Sequence, residues 1–132
     1  QLVIDLAGVN HLNSLGLRTW VNWVKTLRQY PGGIFLRHCQ NAVVNQMNIL
    51  EGFLPLHAVV ESLEIPFLCD SCGHTFKYWA ERGRDYKEAS ADKPAFVKYP
   101  EELPCEKCQQ TANADIIPNK HFTFVHRAKK RR

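Results

Sequence analysis

The sequence predicts an α/β chain in two small parts, a sheet with helices packed on it over residues 1–65 and a small β-rich part over 66–126, followed by a basic tail at 127–132. Three observations carry that expectation. From Leu2 to Lys25 the stretch LVIDLAGVNHLNSLGLRTWVNWVK sets an apolar, β-branched run directly before an amphipathic helical pattern. The same alternation returns between Ile34 and Leu63. Beyond Ile65 it stops, and two C-x-x-C pairs take its place.

Leu2-Val3-Ile4 has the composition of a strand covered on both faces, with Asp5 where it emerges at its C-terminal end. Asn13 and Ser14 offer side-chain oxygens to the free N–H groups of a helix start. Leu17, Trp20, Val21, Val24 and Leu27 follow at three- and four-residue steps and share one helical face, leaving Arg18, Asn22 and Lys25 to another. Pro31-Gly32-Gly33 ends that helix. Ile34-Phe35-Leu36 reads as a second strand, parallel to the first if the helix is the crossover, with Arg37, His38 and Cys39 at its exit. His38 and Cys39 are expected to be a strand-end imidazole and a small buried thiol, because no base, orienter or oxyanion donor set accompanies them. Asn41 is the expected N-cap of a second helix with the stripe Val43, Val44, Met47 and Leu50, and Leu56 to Leu63 is a third strand. The double glycine lacks a following Lys-Ser or Lys-Thr, so it is no phosphate loop.

A strand ending in Asp5-Leu6, then Gly8-Val9, then Leu12-Asn13-Ser14-Leu15-Gly16-Leu17 at a helix start, resembles the central motif of STAS domains, the fold of bacterial anti-sigma-factor antagonists and sulfate-transporter tails. The resemblance spans residues 1–65. It implies a sheet with helices mainly on one face, with the family's earlier strands missing here, and a non-enzymatic, protein-binding module of bacterial signalling. It further implies a surface at Asn13, Ser14, Leu15 and Gly16 for a regulatory partner, a kinase or an anti-sigma-like protein. In the phosphorylatable members the motif runs Asp-Ser-Ser/Thr-Gly-Leu, and the second hydroxyl accepts the phosphate. Here that position is Leu15, the Asp position is Asn13, and only Ser14 keeps a hydroxyl, so no phosphorylation is expected.

Cys69-Asp70-Ser71-Cys72-Gly73 and Cys105-Glu106-Lys107-Cys108 each present two thiolates on a tight turn. Two such halves complete a closed tetrahedral site, for which one structural Zn2+ is the expected ion. Gly73 suits the positive φ of such a turn, and Gln109, at the matching place after Cys108, does not forbid it. The pairs are separated by 32 residues, 73 to 104, against about 15 to 20 in the compact arrangement. A zinc ribbon with an inserted loop is therefore expected. An iron site uses the same four thiolates, and the sequence leaves zinc versus iron open. A thioredoxin-like redox pair needs one C-x-x-C between a strand and a helix. Disulfides are disfavoured by five cysteines, an odd count, and by the lack of a signal-peptide pattern. His74 is expected beside the site, not in it. A closed site leaves no position for a reacting water, and Asp5, His11, Ser14 and His38 form no nucleophile–base set, so no enzyme is expected.

Between the cysteine pairs, Phe76, Tyr78 and Trp79 form an aromatic strand expected to be core, while Glu81 to Lys93 reads as an exposed charged loop. Ile116-Ile117-Pro118 and His121 to Val125 are the expected closing strands. The net charge is +4, but Arg127, Lys129, Lys130, Arg131 and Arg132 hold five of the 17 basic residues, leaving 12 against 13 acidic ones. The basicity is a tail. The alternative function is accordingly a nucleic-acid-binding ribbon, with the first part as a docking or dimerisation platform. No run approaches the roughly 20 apolar residues of a membrane span, so no membrane partner is expected, and the chain reads as a fragment of a cytoplasmic protein. Parts of about 60 residues bury only about 60% of their unfolded surface, so a bound metal would help the second.

Overall fold

The computed structural model describes residues 1–127; Lys129, Lys130, Arg131 and Arg132 of the basic tail lie outside the described residues. The chain is mixed α/β and divides into two compact units, Gln1–Leu63 and Glu64 onward.

In the first unit, β1 (Leu2–Asp5), β2 (Ile34–Arg37) and β3 (Val59–Val60) form a parallel sheet in the order β1-β2-β3, with Leu2 opposite Ile34, Asp5 opposite Arg37 and Phe35 opposite Val59. Parallel neighbours need long crossovers, and α1 (Ser14–Lys25) and α2 (Asn41–Ile49) supply them. Leu36, Val43, Val44, Met47, Val60 and Leu63 are fully buried and make the core.

Several expectations need correction here. β1 is not covered on both faces: it is an edge strand in this sheet, Val3 and Asp5 are exposed, and only the central β2 buries Ile34 and Leu36. The α1 cap is Asn13 alone, whose Oδ1 accepts the Gly16 N–H at 2.7 Å, while Ser14 is the first helical residue. The helix stops at Lys25, before Pro31, because the Thr26 N–H and Oγ1 both turn back to the Trp23 carbonyl at 2.9 and 2.6 Å. The residue at the N-cap of α2 is Gln40, not Asn41; its side chain donates to the Ala7 carbonyl instead of capping. The third strand starts only at Val59, since Pro55 to Ala58 form a turn with His57 at φ +62°.

In the second unit, β4 (Ser62–Leu68, which begins within the first unit), β5 (Thr75–Glu81), β8 (Glu102–Pro104) and β9 (Thr111–Ala114) form a sheet in the order β5-β4-β9-β8. β9 runs antiparallel to both neighbours, with Phe67 opposite Ala114 and Leu103 opposite Ala112. Phe67 is fully buried and stacks on half-buried Phe76 at 5.4 Å between ring centroids. β6 (Tyr86–Lys87) and β7 (Phe96–Val97) pair as a separate antiparallel hairpin.

The stretch Glu81 to Lys93 is not simply an exposed loop. Asp85 and Tyr86 are buried, and the charges around them are matched: Asp85 accepts from Tyr78 Oη, Glu81 N and Arg84 Nε at 2.9–3.0 Å, and Arg82 pairs with Glu88 at 2.8 Å. Nor do Ile116 to Pro118 and His121 to Val125 form strands. Pro118 opens α3 (Pro118–His121), and α4 (Thr123–Arg127) follows. His121, Phe122, Phe124 and Val125 are buried, and the two phenyl rings lie 5.7 and 5.6 Å from the Tyr86 ring. A short aromatic run suits either period, and packing on Tyr86 decides for the helical one.

Candidate metal centre

The two C-x-x-C turns are built alike. Cys69 to Gly73 follow β4, and Cys105 to Gln109 follow β8. Each first cysteine donates its N–H to the residue five places on, Cys69 to the His74 carbonyl at 2.9 Å and Cys105 to the Gln110 carbonyl at 2.6 Å. Each also accepts from the residue four places on, Gly73 at 2.7 Å and Gln109 at 3.0 Å. That residue is left-handed in both turns, with φ +76° at Gly73 and +68° at Gln109.

β4 and β8 flank β9 in the sheet, and the turns that follow them bring four sulfurs together. Cys69 Sγ lies 3.5 Å from Cys108 Sγ, Cys72 Sγ lies 3.7 Å from Cys105 Sγ, and all four fall within 4.8 Å of one another. Four sulfurs at about 2.3 Å from one ion in a tetrahedron are about 3.8 Å apart, so this donor set fits a metal ion. The separations are far above the roughly 2.05 Å of a disulfide. Cys69 and Cys105 are buried, whereas Cys72 is exposed.

Backbone N–H groups favour one thiolate in particular. The Cys108 N–H, and the Lys107 N–H at 3.4 Å, hold the Cys105 thiol down at about 6. At Cys108 the Gln110 N–H also favours the thiolate, but burial and the three neighbouring sulfurs push this thiol up to about 12. Four negative sulfurs at this distance repel one another, and a dication removes that conflict.

His74 and Glu106 join the two turns outside the sulfur cluster. His74 Nε2 lies 2.9 Å from Glu106 Oε1, and its ring stacks on Phe76 at 6.0 Å. The sequence pointed to His74 as a neighbour of the site but not to Glu106, because nothing local marks contacts across 32 residues.

The other expected site residues lie in the first unit. Asn13, Ser14, Leu15 and Gly16 are exposed at the start of α1, Leu15 at 70%. Asp5 and His38 meet at the C-terminal ends of β1 and β2, with Nδ1 3.1 Å from Oδ1. The Ala7 N–H and then His38 hold the Asp5 carboxyl below its usual range. Cys39 is fully buried, and burial first, then the Asp5 charge, pushes its thiol up to about 12.

Fold and site thus define a two-unit α/β protein with a four-cysteine cluster able to hold a metal ion. Among the described residues no helix is long and apolar enough to cross a membrane. Comparison with protein-family models, with curated proteins and with solved structures finds no match.

Proposed function

We propose that the chain is a non-enzymatic regulatory module of cytoplasmic bacterial signalling, in which a STAS-like unit binds a partner protein and a zinc ribbon supplies a structural metal site. Leu15 carries the reading: a large apolar side chain, 70% exposed, occupies the first turn of α1 among exposed Asn13, Ser14 and Gly16. Burying one leucine on association is worth about 1.5–3 kcal/mol, and this leucine stands where the resembled family carries its phosphate acceptor. The module therefore recognises its partner without covalent switching at this turn. The strand order β1-β2-β3 with two successive helical crossovers supports the STAS-like assignment, since right-handed crossovers stepping the same way place both helices on one face. Zn2+ is the ion assigned to Cys69, Cys72, Cys105 and Cys108, as a closed four-thiolate set between β-turns suits a structural ion. A reducing compartment suits the free thiols.

The test is a photo-crosslinking residue placed at position 15 in the native cell, with position 49 as control, where Ile49 is 76% exposed on α2. The expected result is one protein captured from position 15, not from 49, and lost on Ser14→Asp. Equal capture from both positions overturns the assignment.

A further inference from the structure

Along α1, from Gly16 to Trp23, the first unit contains a hollow of about 340 Å³ that opens to solvent, walled by that helix, by the segment after β1, by α2 and by Phe53. Its floor is preformed: Leu6, Val43 and Phe53 are buried, while Trp23, 41% exposed, stands at the edge. Of the polar side-chain groups in its wall, those of Thr19 and Trp20 are already engaged. Thr19 Oγ1 donates to the Leu15 carbonyl at 3.0 Å, and Trp20 Nε1 donates to the Phe53 carbonyl at 2.7 Å. We propose that this hollow is a binding site for a small, uncharged aromatic ligand of about two fused rings.

Size, polarity and wall chemistry converge on that class. An apolar protein cavity of about 150 Å³ takes one benzene ring, so about 340 Å³ takes roughly two. A charge pressed against these mostly apolar walls gives up water for little in return, which selects against charged ligands. Trp20 stands 5.4 Å from Trp23 and 5.4 Å from Phe53, tilted by 52° and 33°, so three rings present faces and edges at the separations where aromatic pairs gain beyond area burial. The hollow opens to solvent past exposed Gly16, Thr19 and Trp23, and a fused-ring ligand removes its apolar lining from that water. Gly16 belongs both to this wall and to the turn carrying Leu15. An effect of the ligand on partner binding through Gly16 rests on the proposed function; the site itself does not.

The probe is naphthalene, titrated into the full chain and followed by methyl NMR of Leu6, Val9, Leu12 and Val43. One saturable site is expected, with shifts confined to these methyls and affinity at least tenfold lower in Thr19→Trp, which fills the hollow from α1. Non-saturable partitioning, shifts spread over the apolar residues of both units, or undiminished binding to a folded Thr19→Trp overturns the proposal. If that variant does not fold, intermolecular NOEs from naphthalene to the Leu6 and Val43 methyls of the unsubstituted protein decide, their absence overturning it. NOEs from these methyls to a bound partner protein in place of naphthalene would give the hollow to a protein side chain and overturn it too.

Discussion

His74 Nε2 lies 2.9 Å from Glu106 Oε1, so the residue after Gly73 in one cysteine turn is tied to the residue after Cys105 in the other. The tie is open to solvent, with side chains 29% and 63% exposed. A contact this open to solvent contributes about 0–1 kcal/mol, so Glu106→Ala is expected to shift the zinc-loaded melting temperature only slightly. Cys72→Ser removes one sulfur of the cluster and is expected to abolish stoichiometric metal binding. Thermal melts with metal analysis separate the two. A Glu106→Ala loss as large as that of Cys72→Ser would show that the clasp, not the sulfurs, holds the turns together.

Zinc added to the reduced protein is expected to bind at one ion per chain and to release protons, since thiolates and not thiols are ligands. Cys105 is held down at about 6 against an ordinary 9.0, whereas Cys108 is pushed up to about 12. The folded Cys105 value is depressed, so its thiolate is available at neutral pH and is lost as pH falls through about 6. Above about 6 Cys105 is already thiolate, so affinity falls with pH through the thiols still protonated there, Cys108 among them, by about tenfold per unit for each proton displaced. Competition titrations at pH 8, 7 and 6 measure it, and a flat profile contradicts thiolate ligation.

The left-handed residues of the two turns differ in kind. Gly73 tolerates φ +76° without strain, and a Cβ there would meet nothing within 4 Å, whereas Gln109 holds φ +68° with a side chain. Gly73→Ala is expected to cost about 1 kcal/mol, and Gln109→Gly to gain about 0.5–1 kcal/mol, through backbone conformation alone. Urea unfolding of the metal-loaded variants reads both.

What could be read from the sequence was what is local. Leu2 to Asp5, Ile34 to Leu36 and the α1 stripe each declare their period within a dozen residues, and each C-x-x-C is complete in four. Tyr86 was missed for the opposite reason. Its neighbours in sequence are Arg82, Arg84, Asp85 and Glu88, the composition of a solvated loop, while the rings that bury it, Phe122 and Phe124, lie far along the chain. The pairing of those charges with one another exists only once the chain has folded. The N-cap of α2 was missed because Gln40 is spent on the Ala7 carbonyl, a contact no spacing rule reveals.

Asp85 is the residue whose loss should hurt that region most. It is 3% exposed and accepts from Tyr78, the Glu81 N–H and Arg84. Asp85→Ala takes this acceptor from the first two, while half-exposed Arg84 keeps the Trp79 carbonyl and Glu81, and the substitution is expected to cost about 1–3 kcal/mol. Arg84→Gln, at a side chain 53% exposed, should cost no more than about 1 kcal/mol. Equal losses in denaturant unfolding would mean that the arginine, not the buried carboxylate, organises the turn.

His121 gives the second unit a pH dependence of its own. It is 5% exposed, and its Nε2 lies 2.9 Å from the Glu64 carbonyl oxygen, which can only accept, so the neutral ring carries its proton on Nε2. Burial lowers its pKa below the ordinary 6.5, more than the carbonyl contact raises it. The sign follows from proton counting. Below 6.5 the unfolded chain takes up a proton that the folded chain refuses, so the stability from burying this ring is complete above 6.5 and drains away as pH falls toward the lowered folded value. His121→Phe keeps an aromatic ring against Phe122 and removes the titration, though it leaves the Glu64 carbonyl without this donor. The variant should be less stable at pH 8 yet show a flatter decline between pH 6.5 and 5. Because acid also weakens thiolate ligation, both proteins are compared in saturating zinc, and only the difference between their profiles is read. Parallel profiles would mean that His121 is protonated as readily folded as unfolded, against its burial.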